Sequence, residues 1–189
     1  MLFKSSKKDR TSFFIFTISV IAIACVVVAY TISMQNKVKR PVANPIVTRD
    51  ILIKNQVQTA ISLLDGVNKK VEMRKISLAQ AKVEGANLLR ELRYDNGRGY
   101  FWADTVEGMN VVLYGNKAME GKNRLNAKSG NIEYVKEMIR VGQLPNGGYT
   151  EYAFPKIGET VAKPKRSYTL YYKPFNWVIG TGYYLEDIY

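Results

Sequence analysis

The side chains able to do chemistry in this chain fall into two groups. Asp104, Glu107 and Glu151 are carboxylates suited to proton transfer, yet no motif pairs two of them, and the hydroxyl of Ser167 has no visible base beside it. The sequence has no histidine, which removes imidazole-based triads, His-ligated metals and imidazole pH switches together. Its one cysteine, Cys25, lies inside an apolar run and fits neither a disulfide framework nor a thiolate metal site within one chain. These absences point away from an enzyme and from a metal or other cofactor. The second group is the aromatic and cationic side chains of the strand-like segments, among them Tyr100, Trp102, Tyr114, Tyr152, Phe154, Lys165 and Tyr168, whose chemistry suits recognition. Phenols and indoles donate hydrogen bonds from rigid side chains, and a lysine balances a carboxylate. A pocket for a small anion needs one or two such groups in a mostly apolar wall. Each aromatic reads equally as strand core, and Lys165 equally as a solvated turn lysine.

These residues lie on segments with a period of two. Arg166 to Tyr172 and Trp177 to Tyr184 are rich in aromatic and β-branched residues, and the intervening Lys173-Pro174-Phe175-Asn176 stops a strand, so the pair reads as a hairpin. Alternation places Trp177, Ile179, Thr181 and Tyr183 on one face, and Val178, Gly180, Gly182 and Tyr184 on the other. Two glycines on one strand face imply the close approach of another backbone or of a ligand. Lys165 and Tyr168 differ by an odd number of residues, so only a bulge or an irregular start brings both to one pocket. Tyr100 to Asp104 and Met109 to Tyr114 form a second expected hairpin, and Tyr149 to Phe154 a fifth strand.

Helical spacing occupies the rest. Ile53, Val57, Ile61 and Leu64 mark one face of a long helix that either ends at Gly66 or continues with a kink. Ser77 and Gln80 form a capping-box pattern for a second helix, with Leu78, Ala81, Gly85, Leu88, Leu89 and Leu92 facing inward. Asn131 to Val141 reads as a third, with Asn131 as N-cap and Ile132, Val135 and Ile139 as its apolar face. The expected fold class is α+β: a five-stranded antiparallel sheet with helices gathered to one side.

Phe13 to Met34 runs 22 residues without a charge. At 1.5 Å per residue this spans about 33 Å, enough for a transmembrane helix. The run continues through Val26, Val27 and Val28, where a cleaved signal peptide would end; Ala22 argues against a lipoprotein signal, and no pilin-type Gly or Glu is present. Lys4, Lys7, Lys8 and Arg10 before the run are matched by Lys37, Lys39, Arg40 and Arg49 after it, so charge alone leaves the orientation open. The net charge of +12 is spread along the chain without a basic stripe interleaved with aromatics, which argues against a nucleic-acid partner.

Several spaced motifs resemble the single Cache sensor domains of bacterial chemoreceptors and sensor kinases. They are LRYDNGRGYFWAD at Leu92 to Asp104, GKN at Gly121 to Asn123, SGNIEYVKEMI at Ser129 to Ile139, GGYTEYAFPK at Gly147 to Lys156, PKRSY at Pro164 to Tyr168, and PFNWVIGTGYYLEDI at Pro174 to Ile188. The resemblance implies a cytoplasmic tail at 1–12, a membrane helix at 13–34, a linker at 35–46 and an extracytoplasmic PAS-like sensor domain at 47–189. It also implies a pocket for a small extracellular ligand, often a short carboxylate, ringed by Tyr100, Trp102, Tyr114, Tyr152, Phe154, Lys165 and Tyr168. A homodimer, and a cytoplasmic signalling module where the chain is a fragment, follow from the same resemblance. Many members carry His-Pro where this chain has Tyr114-Gly115. A membrane-anchored protein-interaction module without a small ligand is the alternative reading.

Overall fold

The computed structural model describes residues 20–34 and 44–188, in two units divided between Ala43 and Asn44. In the first unit residues 20–34 are helical. Among the described residues no helix is long and apolar enough to cross a membrane, and residues 13–19 of the expected span lie outside them.

The second unit begins with helix α1 (Pro45–Glu72), capped by the Asn44 side chain, with Pro45 in the first turn where its missing N–H costs nothing. It continues unbroken through Gly66. A mid-helix glycine costs about 1 kcal/mol, and burial of Leu64 and Val67 against the sheet outweighs that. Helix α2 (Leu78–Glu91) starts with the expected reciprocal Ser77–Gln80 capping box. Ala81, Gly85, Ala86 and Leu89 face inward, whereas Leu78 and Leu88 are exposed, so the inward stripe is narrower than the sequence pattern implies.

Two short strands, β1 (Arg93–Tyr94) and β2 (Gly99–Tyr100), pair before the main sheet. That sheet comprises β3 (Trp102–Thr105), β4 (Asn110–Leu113), β7 (Gly148–Pro155), β8 (Ala162–Tyr172) and β9 (Trp177–Tyr184) in the antiparallel order β4-β3-β9-β8-β7. A second small ladder joins β5 (Lys128–Ser129) to β6 (Ile132–Glu133). It displaces the start of helix α3 (Tyr134–Gly142) from the expected Asn131. Ile132 therefore belongs to a strand and is 45% exposed, and the buried face of α3 is Tyr134, Val135, Met138, Ile139 and Val141.

Alternation along β9 divides the core into two layers. Trp177, Ile179 and Tyr183 pack with α1 and α2, while Val178 joins the α3 side chains on the opposite face. Helices thus cover both faces, correcting the expectation that they gather on one side. The end of α3 lies so close to β8 and β9 on this second face that a Cβ at Gly142 would sit 2.7 Å from Val178 Cγ1.

Gly85 marks the tightest crossing on the first face. A Cβ there would lie 2.9 Å from both Leu64 Cδ2 and Phe175 Cε2, two fully buried side chains. Gly85→Ala is expected to destabilise the domain by about 1–3 kcal/mol, because overpacking outweighs the gain in helix propensity. A urea-denaturation midpoint at or above that of the parent chain would show that α1 and α2 have room to separate.

Candidate functional site: a caged lysine

The α3 face of the sheet holds the recognition residues. β8 is regular from Ala162 onward, so parity decides which side chains meet: Lys165 points to the α3 face and Tyr168 to the α1 face. Tyr168 packs on Tyr149, with ring centroids 5.1 Å apart, and its hydroxyl donates to the Asn146 carbonyl at 2.6 Å. It pins the turn before β7 and is not part of the cage, because no bulge rotates it there.

Lys165 is 1% exposed. Its Nζ donates to the Tyr100 hydroxyl at 2.7 Å. The same ammonium lies 4.4 Å from the Tyr100 ring centroid, 5.0 Å from Trp102, 5.4 Å from Phe154 and 5.0 Å from Tyr184. Four strands supply these rings: β2, β3, β7 and β9. Quadrupole attraction from their faces replaces part of the lost hydration, but among the described residues no carboxylate pairs with Lys165. Burial therefore pushes the lysine's pKa below its ordinary value, opposed by Tyr100, while the Arg124 charge lowers it further. The same burial raises the Tyr100 phenol, against the pull of the ammonium. An uncompensated buried charge is costly, and such groups concentrate at functional sites.

The other expected residues border the cage. The Tyr114 ring is 5.7 Å from that of Tyr100, and the Arg93 guanidinium caps it at 3.1 Å. Tyr152 stacks on Tyr134 of α3 at 4.8 Å with nearly parallel planes, and its hydroxyl meets the Ser167 Oγ at 3.0 Å. The structure thus brings together Tyr100, Trp102, Tyr114, Tyr152, Phe154 and Lys165. It adds Tyr184, Tyr134 and Ser167. Tyr184 was accessible to sequence reasoning, since it shares the parity of Gly180 and Gly182; Tyr134 was hidden by the misplaced start of α3. The glycine face is occupied, too: a Cβ on Gly180 would meet the Trp102 indole at 2.6 Å, so the space left by that glycine seats a cage wall.

A cavity of about 150 Å³ abuts the cage, lined by Tyr100, Tyr114, Phe154 and Ile157 among others. It adjoins a wider depression of about 370 Å³ bordered by Arg98, Lys156, Tyr184 and Asp187. Lys156 closes one side by ion pairs to Glu186 at 2.8 Å and Asp187 at 2.7 Å, and Tyr184 donates to the Pro155 carbonyl at 2.6 Å. Glu186 and Asp187 are thus latched to the loop after β7.

A second buried cation completes this face. Arg124 pairs with Asp104 at 3.2 Å, and the Asn110 amide donates to the same carboxylate at 2.9 Å. Unlike Lys165, Arg124 has its counter-charge. Twenty residues separate the partners, so nothing local in the sequence announces the pair.

The domain is thus an antiparallel sheet with a long helix on one face and a caged cation on the other. The family model for single Cache domain 2 matches residues 47–189, and the chain belongs to that family. It is 26% identical over 133 residues to the methyl-accepting chemotaxis protein McpP of Pseudomonas putida, covering 70% of this chain and 24% of that protein. It is 24% identical over 173 residues to the sensor histidine kinase MctS of Rhizobium johnstonii, covering 91% of this chain and 37% of that one. The matched part of the chain therefore spans only 24% and 37% of the length of these curated relatives. Among solved structures, a periplasmic sensor domain of a chemotaxis protein superposes with a TM-score of 0.71 at 28% identity, over 76% of this chain and 99% of that domain. A Cache chemosensory domain described for carboxylic acid recognition gives 0.71 at 21% identity over 77% and 99%, which shows the shared fold.

Proposed function

We propose that residues 47–189 are the extracytoplasmic input domain of a single-pass membrane receptor that binds a short carboxylate beside Lys165. One observation carries the reading: a fully buried ammonium with aromatic walls and, among the described residues, no counter-ion. Arg124 is already neutralised by Asp104, so the site offers one uncompensated positive charge. That fits a monoanion with a small apolar tail. The carboxylate accepts a charge-assisted hydrogen bond from Nζ, the Tyr100 hydroxyl is freed to donate to it, and the rings exclude water. Residues 1–12 inside, 13–34 across the membrane and 35–46 as linker complete the receptor's input half, with the long helix leading from the membrane and a homodimer as the working unit. The domain does no chemistry on what it binds.

A thermal-shift screen of the chain against short carboxylates, amino acids, purines and sugars tests this. A ligand at a hundred times its dissociation constant stabilises the fold by about 2.7 kcal/mol. Hits confined to carboxylates support the reading. Hits only among neutral sugars or purines would remove the lysine from the centre of it, and binding only to large polyanions, lost steeply with salt, would favour the interaction module.

The pH dependence has a defined sign. Burial lowers the Lys165 pKa, so the ammonium is lost at lower pH than a free lysine's, which is about 10.4. Carboxylate affinity is complete below the folded-state pKa and falls as pH rises through it. Stability of the ligand-free fold moves the other way, rising through the same window, because the unfolded chain there binds more protons. Calorimetric titrations between about pH 7 and pH 10 should show the affinity falling before free lysine titrates; a flat profile would mean that Nζ does not hold the anion.

A further inference from the structure

Two consecutive rungs of the β8–β9 ladder face opposite ways. Lys165 pairs with Tyr184 and both enter the cage; Arg166 pairs with Tyr183 and both emerge on the α1 face. There they meet Asp50 of α1. Arg166 donates to its carboxylate from Nε at 2.9 Å and Nη2 at 2.9 Å, and the Tyr183 hydroxyl donates at 2.9 Å. The Tyr149 hydroxyl adds a bond to the Asp50 carbonyl at 3.1 Å, under an Arg166 guanidinium 4.8 Å from its ring. Arg166 has a second carboxylate partner in the sheet itself: Nη1 donates to Glu151 of β7 at 2.6 Å.

We propose that Arg166 is a switch between two carboxylates, Asp50 on the long helix and Glu151 on the neighbouring strand, and that the cage sets its position through the single peptide joining it to Lys165. In this structure the guanidinium holds both carboxylates at once, so loss of either leaves it paired, and two discrete states are open to it: held by the helix, or drawn onto the strand with the first turns of α1 released. A change at the cage that moves the Lys165 ammonium off Tyr100 tilts the Lys165–Arg166 peptide and alters the geometry of the clamp on the other face. Tyr184 and Tyr183 transmit the same movement on β9. The inference rests on reading the cage as the ligand side, but it concerns how the signal leaves the cage, and its test perturbs the cage without requiring the ligand.

The readout is hydrogen exchange of the amides in residues 46–53, measured by mass spectrometry on the full chain. Lys165→Met is expected to change exchange there at least fivefold, although residue 165 lies across the sheet from α1. Glu151→Gln alone should leave those amides at or below their resting rate, since Asp50 still holds Arg166. In the Glu151→Gln background, the response to Lys165→Met should shrink to under twofold. A merely structural Glu151 would not silence a response that begins on the other face. An unchanged segment 46–53 in a cooperatively folded Lys165→Met protein would overturn the proposal, and so would an equal response with Glu151→Gln present. Tyr184→Phe, which frees Pro155 while keeping the ring, perturbs the same rung and should show the same dependence on Glu151 if Lys165→Met does not fold. Failure to find a carboxylate ligand would leave these exchange results standing, so the two readings fail separately.

Discussion

Arg124→Ala should cost the domain about 3–5 kcal/mol, because it strands a buried carboxylate without its cation. Asp104 is 2% exposed, and its remaining partner is the Asn110 amide. Against a total stability of about 5–15 kcal/mol, this loss is the largest expected of any single change on the α3 face. Burial already raises the Asp104 pKa despite the opposing Arg124 charge. Removing the arginine raises it further, so the folded variant takes up a proton at a pH where the unfolded chain has already lost it. Linkage then gives the sign: stability of Arg124→Ala should improve as pH falls from about 7 to about 5, while the parent chain changes less. Replacing both partners, as Asp104→Asn with Arg124→Met, should recover most of the loss, since neither a charge nor its orphaned partner remains buried. Urea denaturation at the two pH values checks all three statements. A loss under 1 kcal/mol for Arg124→Ala would mean that the pair is hydrated rather than buried.

Lys165→Met should behave in the opposite way. Its charge has rings and a phenol around it but no counter-ion among the described residues, so an unbranched apolar replacement removes a desolvation cost and keeps the volume. Fold stability is expected to hold or rise. Carboxylate affinity should fall by about 2–5 kcal/mol, roughly thirtyfold or more, because the charged partner of a buried hydrogen bond is lost. The combination is the diagnostic: a residue kept for binding separates stability from affinity, whereas a structural residue loses both. A destabilised variant with unchanged carboxylate affinity would assign Lys165 to the core instead.

Much of the fold is legible in local sequence. Pro174 and the alternation on either side of it define the β8–β9 hairpin, whose second strand begins at Trp177 and ends at Tyr184 as the pattern implies. The Ser77–Gln80 box fixes the start of α2 for the same reason: both partners lie within one turn of chain. Gly66 leaves the course of α1 open in the sequence, because tertiary burial of Leu64 and Val67 decides it, and no local rule weighs that. The start of α3 is obscured by the β5–β6 pairing, in which Ile132 meets Ser129 across a turn. Within the site, the strand aromatics were readable from alternation, and parity alone already separated Tyr168 from Lys165. The Asp104–Arg124 pair was invisible, because it joins the first strand of a hairpin to the loop that follows its second. The two-sided rung at Lys165 and Arg166 was equally hidden: adjacent charges in sequence look like one basic patch until the ladder sends them to opposite faces.

The most direct test of the caged lysine as a ligand site uses its own tryptophan. The chain has two, Trp102 and Trp177, and only Trp102 borders the cage; Trp177 packs on Phe175 in the other layer. Titrating a Trp177→Phe version of the full chain with acetate, propionate, pyruvate and lactate should give a saturable change in Trp102 emission for at least one of them. That change should be absent when Lys165→Met is added. No saturable change with any of the four, with the unfolding temperature equally unmoved, would contradict a carboxylate site at Lys165.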